Sequence, residues 1–369
     1  MQSIVCIGLL SVIFSADDSL TKLAAECRPA IERSVAYLRT AQNDDGSFGD
    51  AGLRLPITSL VVGGLIQSSA IPDTDPLIAK GLDFMKSKIQ PDGGAEGGRV
   101  GRTYTTSICV MTFTLANKDG KYSELIKKAI EFLKSEQWDE GDGISKDDPR
   151  YGGMGYGGKS RPDLSNTSFV LEAMKEAGVP ADDPAFQRAL VFIRRCQNLS
   201  GQDANDLPLG AAINDGGFFY TPVDGNERGE KEVAENGGRP SYGSMTYAGL
   251  KSFLYAGVKP DDRRVQAAYK WVKDHYTVDE NPGQGTAGLY YYYHTFAKAL
   301  STLGLTEIVD GKNASHDWRR DLALALISRQ QKNGSWSNSN QRWMESDPRL
   351  STAFALLTLG QVLTPPAAK

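Results

Sequence analysis

AYLRTAQNDDGSFG at residues 36–49 and ALISRQQKNGSW at 325–336 are two forms of one phrase. An aromatic or apolar pair is followed by a few residues, a Gln, and a Gly-rich turn that ends in an aromatic. The phrase returns as DFMKSKIQPDGG at 83–94 and EFLKSEQWDEGDG at 131–143. VFIRRCQN at 191–198 continues into INDGGFFY at 213–220, and KWVKDHYTVDENPGQG at 270–285 is a worn copy. Each copy precedes a helical stretch poor in charge, such as TYTTSICVMTFTLA at 103–116 or RLSTAFALLTLG at 349–360. Self-similarity at a roughly constant period marks a repeat architecture.

Two kinds of helix alternate. Before the third Gln, Glu124, Lys127, Lys128 and Glu131 fall at i, i+3, i+4 and i+7, with Leu125, Ile126, Ala129 and Leu133 opposite. That is an amphipathic helix with one wet side. The stretch 103–116 carries no charge on any face, and a helix apolar all round is buried all round. Six half-wet helices alternating with six buried ones predict an all-α fold, a closed α6/α6 toroid with an outer ring around an inner barrel. The turn glycines predict left-handed helix ends. The Gln and the terminal aromatic predict pins between one repeat and the next. Insertions at about 199–240 and 277–288 are expected over one mouth of the ring.

Composition agrees with one large core. Of 369 residues, 40% are hydrophobic and 23% charged, with a net charge of −4 and no basic block. A nucleic-acid partner would need a clustered positive face, so none is expected. Cys6, Cys27, Cys109 and Cys196 lie far apart, which argues against a disulfide scaffold or zinc module. Ile4–Phe14 is an apolar run the length of a signal-peptide core and too short to span a membrane. Residues 1–16 are therefore expected to be a signal peptide, with the single toroid at 17–369 exported, periplasmic or secreted.

The phrases QNDDGSF and QKNGSW resemble the QW repeat of squalene–hopene cyclases and the related repeat of protein prenyltransferase β subunits. The resemblance covers nearly the whole chain and implies a barrel whose bore encloses an isoprenoid chain. Class II terpene cyclases open an inner helix with Asp-x-Asp-Asp-Thr-Ala; here the third inner helix opens Asp163-Leu164-Ser165-Asn166-Thr167-Ser168. The resemblance implies a catalytic role for Asp163 beside Asn166. Ser165 stands where the family's proton donor would be and cannot supply that proton. The plain reading of Asp163 or Ser165 is a helix N-cap. Tyr293-His294-Thr295 resembles the Tyr-His-Thr of the prenyltransferase zinc site, but Tyr242-Gly243-Ser244 stands where that family has Asp-x-Cys. Zinc needs about three protein ligands, so neither metal nor cofactor is expected. Arg239 resembles that family's basic diphosphate contact.

From these residues the expected catalytic groups are Asp163, His294 and Tyr242. Arg161, Arg239, Arg102, Tyr247, Tyr293 and Asn166 are the expected substrate contacts. Arg99, Arg102, Lys159, Arg161 and Arg239 sit just before inner helices, where helix N-termini favour an anion. Asp163, Tyr242 and His294 are expected to converge at one end of the bore, below a cationic rim. Asp92, Glu96, Asp142 and Asp215 read as turn formers. The expected partner is an apolar, isoprenoid-like small molecule. The expected function is that of a prenyltransferase or terpenoid cyclase with an altered motif. A non-catalytic binding toroid and a secreted carbohydrate-active toroid enzyme are the alternatives.

Overall fold

The structure, a computed structural model, describes residues 6–224, 234 and 237–365, with side chains from Asp18 onward. Six helices line the bore: α2 (Arg54–Gln67), α4 (Arg102–Ala116), α6 (Leu164–Glu176), α9 (Gly243–Tyr255), α11 (Leu289–Thr302) and α13 (Pro348–Leu363). Each packs on the next in that order, and α13 packs back on α2, which closes the ring. Outside them stand α1 (Cys6–Ala41), α3 (Pro76–Ser87), α5 (Ser123–Ser135), α7 (Pro184–Arg195), α10 (Arg263–Asp274) and α12 (Trp318–Arg329). The inner α2 is buried without a break from Leu55 to Ile66. The outer α5 buries only Ile126, Ala129, Ile130, Phe132 and Leu133. Residue patterning alone thus separates the two layers. Two small additions interrupt the scheme, a short α8 (Leu209–Ile213) and a two-residue hairpin of β1 (Ile308–Val309) with β2 (Ser315–His316).

The Gln of the recurring phrase does the same work in four turns. Its Nε2 donates to the turn glycine's carbonyl and to a carbonyl of the next outer helix, at the start of that helix in the first three. Gln42 binds Gly46 and Leu77, Gln137 binds Gly152 and Ala185, and Gln197 binds Gly216 and Arg264. Gln330 binds Gly334 and Ala30, so the last turn grips the first helix. Gln90 departs from the pattern, reaching Lys88 O at 3.4 Å. The turn glycine has no substitute: Gly334 has φ +88°, and a Cβ there would lie 2.2 Å from Arg33 O. The aromatic after it is buried, and its N–H donates to a threonine of the following inner helix, Phe48 to Thr58 and Trp336 to Thr352.

The backbone is helical from Cys6 and runs without interruption into α1. Residues 1–5 of the expected signal peptide, and all side chains before Asp18, lie outside the described residues. So do residues 225–233 and 235–236 of the longest insertion. Among the described residues no helix is long and apolar enough to cross a membrane. Cys27, Cys109 and Cys196 are buried free thiols.

Candidate functional site: two chambers in one bore

All six inner helices run the same way, so their first turns meet at one mouth. The upper chamber opens there, and the space between its walls, mouth included, is about 940 Å³. Tyr104, Phe169, Tyr242, Tyr291 and Phe354 line it from the helices, with Tyr156 and Tyr220 added from turns. Trp343 and Met344 close one side of the mouth. Both have left-handed backbones, φ 58° and 63°, a conformation that costs a non-glycine residue about 1–2 kcal/mol. The next residue, Glu345, holds this turn down. It is buried, accepts from Asn338 Nδ2 at 2.8 Å, and caps α11 by accepting from Tyr291 N at 2.8 Å. Burial pushes its carboxyl above the usual range. Among the described residues of the wall, Glu345 and Asp347 are the charged ones.

Asp163 stands one layer behind this wall. It caps α6, accepting from Asn166 N at 2.8 Å and from Asn166 Nδ2 at 2.7 Å. Burial raises its carboxyl to about 6, against the opposing pull of Asn166, Tyr220 and Arg161. The Tyr220 hydroxyl donates to the Asp163 carboxylate and lies 3.4 Å from the Tyr156 hydroxyl. Tyr220 is therefore the link between Asp163 and the chamber.

A lower chamber follows, sharing Phe169 and Leu60 with the upper one. Its apolar wall includes Ile108, Met111, Leu115 and Leu357, but α6 and α11 add Glu172, Glu176, His294 and Lys298. Glu172 is fully buried and pairs with Lys251, and its Oε1 lies 3.1 Å from Lys298 Nζ. Lys298 also reaches Glu176 at 2.5 Å. His294 Nε2 is 3.9 Å from Glu172 Oε1, while His294 Nδ1 has no hydrogen-bond partner. Burial lowers the imidazole to about 3, so His294 is neutral. Lys251 and Lys298 hold Glu172 ionised well below the usual range despite its burial.

The predicted residues divide accordingly. Tyr242 lines the upper chamber, Asp163 lies behind it, and His294 belongs to the lower one. They do not converge at a single mouth, because His294 falls a turn further along its helix than Tyr291. Among the described residues, no Lys or Arg lines the upper wall. Arg102 pairs with Asp92 at 2.7 Å and stacks over Phe132, Arg239 pairs with Asp224 at 2.7 Å, and Arg161 donates to Val223 O. Tyr247 is also outside both walls, stacked on Phe296 between α9 and α11. Tyr293 points away from the bore, its hydroxyl donating to Val278 O. Asn166 serves Asp163 rather than a chamber. Among the described residues no three metal-ligating side chains cluster.

The buried charges were missed, yet they carry a signal. Glu172, Lys251 and Lys298 each stand six residues before the glycine closing their helix, Gly178, Gly257 and Gly304. That common register puts the three at one depth. The tyrosines at 156 and 220 carry no comparable signal, since turn residues reach the wall only through the folded path of the turns.

Residues 55–219 match the family model of the squalene-hopene cyclase C-terminal domain. No curated protein sequence is similar enough to match. Among solved structures, the type II terpene cyclase MstE from Scytonema superposes with a TM-score of 0.56 at 12% identity, over 91% of this chain and 98% of that one. A variant of MstE in complex with its substrate geranylgeranyl dihydroxybenzoate gives 0.57 at 12%, over 93% and 99%. Another, in complex with the product merosterolic acid A, gives 0.56 at 13%, over 93% and 99%. Over residues 55–219 the chain is thus similar to the squalene-hopene cyclase C-terminal domain, and over nearly its whole length it shares the fold of the type II terpene cyclase MstE.

Proposed function

We propose that the protein encloses an apolar, isoprenoid-like ligand in its upper chamber. The observation that carries this is the wall: aromatic and aliphatic side chains from all six inner helices, with no Lys or Arg among its described residues. An enclosed apolar cavity with few polar groups is the ordinary form of a small-molecule site. A diphosphate would lack its counter-charge among the described residues of this wall, and a carbohydrate would set many of its hydroxyls against the ring and aliphatic carbon that dominates it. MstE, similar in fold, binds a geranylgeranyl substrate, which supports the same ligand class here. The test is to extract the protein, purified without detergent, and identify what it carries by mass spectrometry. An isoprenoid at near one per chain is the expected result. A saccharide, bound saturably by the empty protein in place of any polyene, would overturn it.

A second reading, turnover started by a proton, is favoured by Asp163. A carboxyl near 6 is half protonated at pH 6, whereas an ordinary Asp is protonated in roughly one molecule in a hundred. The same shift makes it a weaker acid, better matched to an oxygen acceptor such as an epoxide than to an alkene carbon. Asp163 gives its proton to Tyr220 Oη as the Tyr220 O–H bond breaks and that proton passes to an epoxide oxygen in the chamber, leaving Tyr220 neutral and Asp163 ionised beside Arg161. Incubation with an epoxidised polyene should give cyclic products that Asp163→Asn and Tyr220→Phe both abolish. Products that persist in Asp163→Asn would remove it from the reaction.

We further propose that residues 1–16 direct export. N-terminal sequencing of the protein from its native host would show a start near Asp17, and an intact Met1 would contradict this.

A further inference from the structure

We propose that the lower chamber is a subsite for the uncharged hydroxyl end of the ligand whose apolar body fills the upper chamber, with His294 Nδ1 as its acceptor. This rests on the apolar-ligand reading above and goes on to fix the ligand's polarity and direction. The starting point is an unfinished hydrogen bond. His294 is almost fully buried, neutral, and part of the lower chamber's wall. The Glu172 carboxylate, 3.9 Å from Nε2, favours the tautomer with its proton on Nε2. Nδ1 is then a bare acceptor with no partner, and a buried acceptor left unpaired is costly. A donor placed beside it removes that cost.

The charge of the donor follows from the surrounding groups. Glu172, Glu176, Lys251 and Lys298 are two anions and two cations paired with one another. They leave no net charge to attract an ion, and the rest of the wall is hydrocarbon. A neutral hydroxyl satisfies Nδ1 without disturbing these pairs, whereas a carboxylate or phosphate would bring acceptors to an acceptor.

Geometry supplies the connection. Tyr291 lines the upper chamber, and His294 stands three residues below it on α11, roughly 4.5 Å of helix rise. Phe169 and Leu60 belong to both walls and form the waist between them. Phe169 lies parallel to His294, its ring centroid 6.5 Å from the imidazole's. A linear isoprenoid alcohol passing this waist would lay its chain among the upper aromatics and its terminal oxygen at His294.

The test compares geranylgeraniol with its methyl ether, titrated into the full-length protein and followed by calorimetry. The alcohol should bind roughly five- to tenfold more tightly, the ratio one net hydrogen bond supplies. His294→Phe should erase the ratio, the alcohol and the ether then binding equally. A second readout needs no variant: with ¹⁵N-labelled histidine, the Nδ1 resonance of His294 should move on adding the alcohol and stay still with the ether. Equal binding of both, with that resonance unmoved, overturns the subsite and leaves the apolar-ligand reading standing. Binding of neither overturns both.

Discussion

The two chambers are built by the same six helices and are opposite in chemistry. The upper one, at the helix N-termini, is walled by tyrosines and closed by a turn held in a costly backbone conformation. The lower one, a turn or more further along, is lined by Glu172, Glu176 and Lys298, paired with one another and with Lys251 behind them, and by His294. Their pH responses run in opposite directions. Asp163, near 6 in the folded chain and about 3.9 unfolded, binds more protons when folded, so its contribution to stability falls as pH rises from about 4 to 6. His294, near 3 folded and about 6.5 unfolded, binds fewer protons when folded, so its contribution grows as pH rises from about 3 to 6.5. The difference teaches that burial alone does not decide what a bore is for. Behind the wall of one chamber it tunes an acid, and in the other it keeps a base neutral.

The largest effect should come from breaking the lower cluster. Lys251→Met leaves the fully buried Glu172 one cation short, and removing one partner of a buried pair costs about 3–5 kcal/mol. Adding Glu172→Gln should recover at least half, since Lys298 keeps Glu176. Urea unfolding measures both, and a single variant as stable as the unmodified protein would show that the cluster is wet.

Next comes the opposition in pH. Asp163→Asn keeps a good N-cap and should raise stability at neutral pH by on the order of 2–3 kcal/mol, with no gain below pH 4. His294→Gln should flatten the loss of stability on acidification from pH 6.5. Thermal melts at pH 4, 5.5 and 7 would decide, and parallel curves for both variants would remove the contrast.

Both chambers depend on the closed ring. Gln330→Leu frees the carbonyls of Gly334 and Ala30 at the seam, and should cost about 1–3 kcal/mol. Hydrogen exchange should show the loss first in α1 and α12, and a uniform change around the ring would contradict the seam's role. The smallest effect belongs to the mouth. Met344→Gly relieves one left-handed residue and should stabilise by up to about 1 kcal/mol, while loosening the wall that Trp343 provides.

The ring was legible because its signals are local and repeated. Gln42, Gln137, Gln197 and Gln330 recur with their glycines, and the charge-free run 103–116 can only be an inner helix. The site was legible in part. Asp163 stood out as a helix-opening acid and His294 as a rare imidazole on an inner helix. Arg102 and Arg239 misled, because a cation before a helix N-terminus is as readily held by a neighbouring carboxylate, here Asp92 and Asp224. Tyr156, Tyr220 and Trp343 could not be read at all. They reach the wall from turns whose direction is set by glycines and left-handed residues rather than by helical period. The charges at 172, 251 and 298 were readable in principle, once the three helices were aligned on their closing glycines.

The upper chamber as the seat of an apolar ligand is the central claim, and one binding measurement meets it directly. Ser165 lines the chamber, its hydroxyl 3.0 Å from that of Tyr291, so Ser165→Trp would fill the space with an indole. Equilibrium binding of a radiolabelled C20 polyene should be saturable at one per chain in the unmodified protein. In the filled variant it should be lost, with the helical signal and the melting midpoint preserved. Equal binding by both proteins would place the ligand elsewhere and contradict the account.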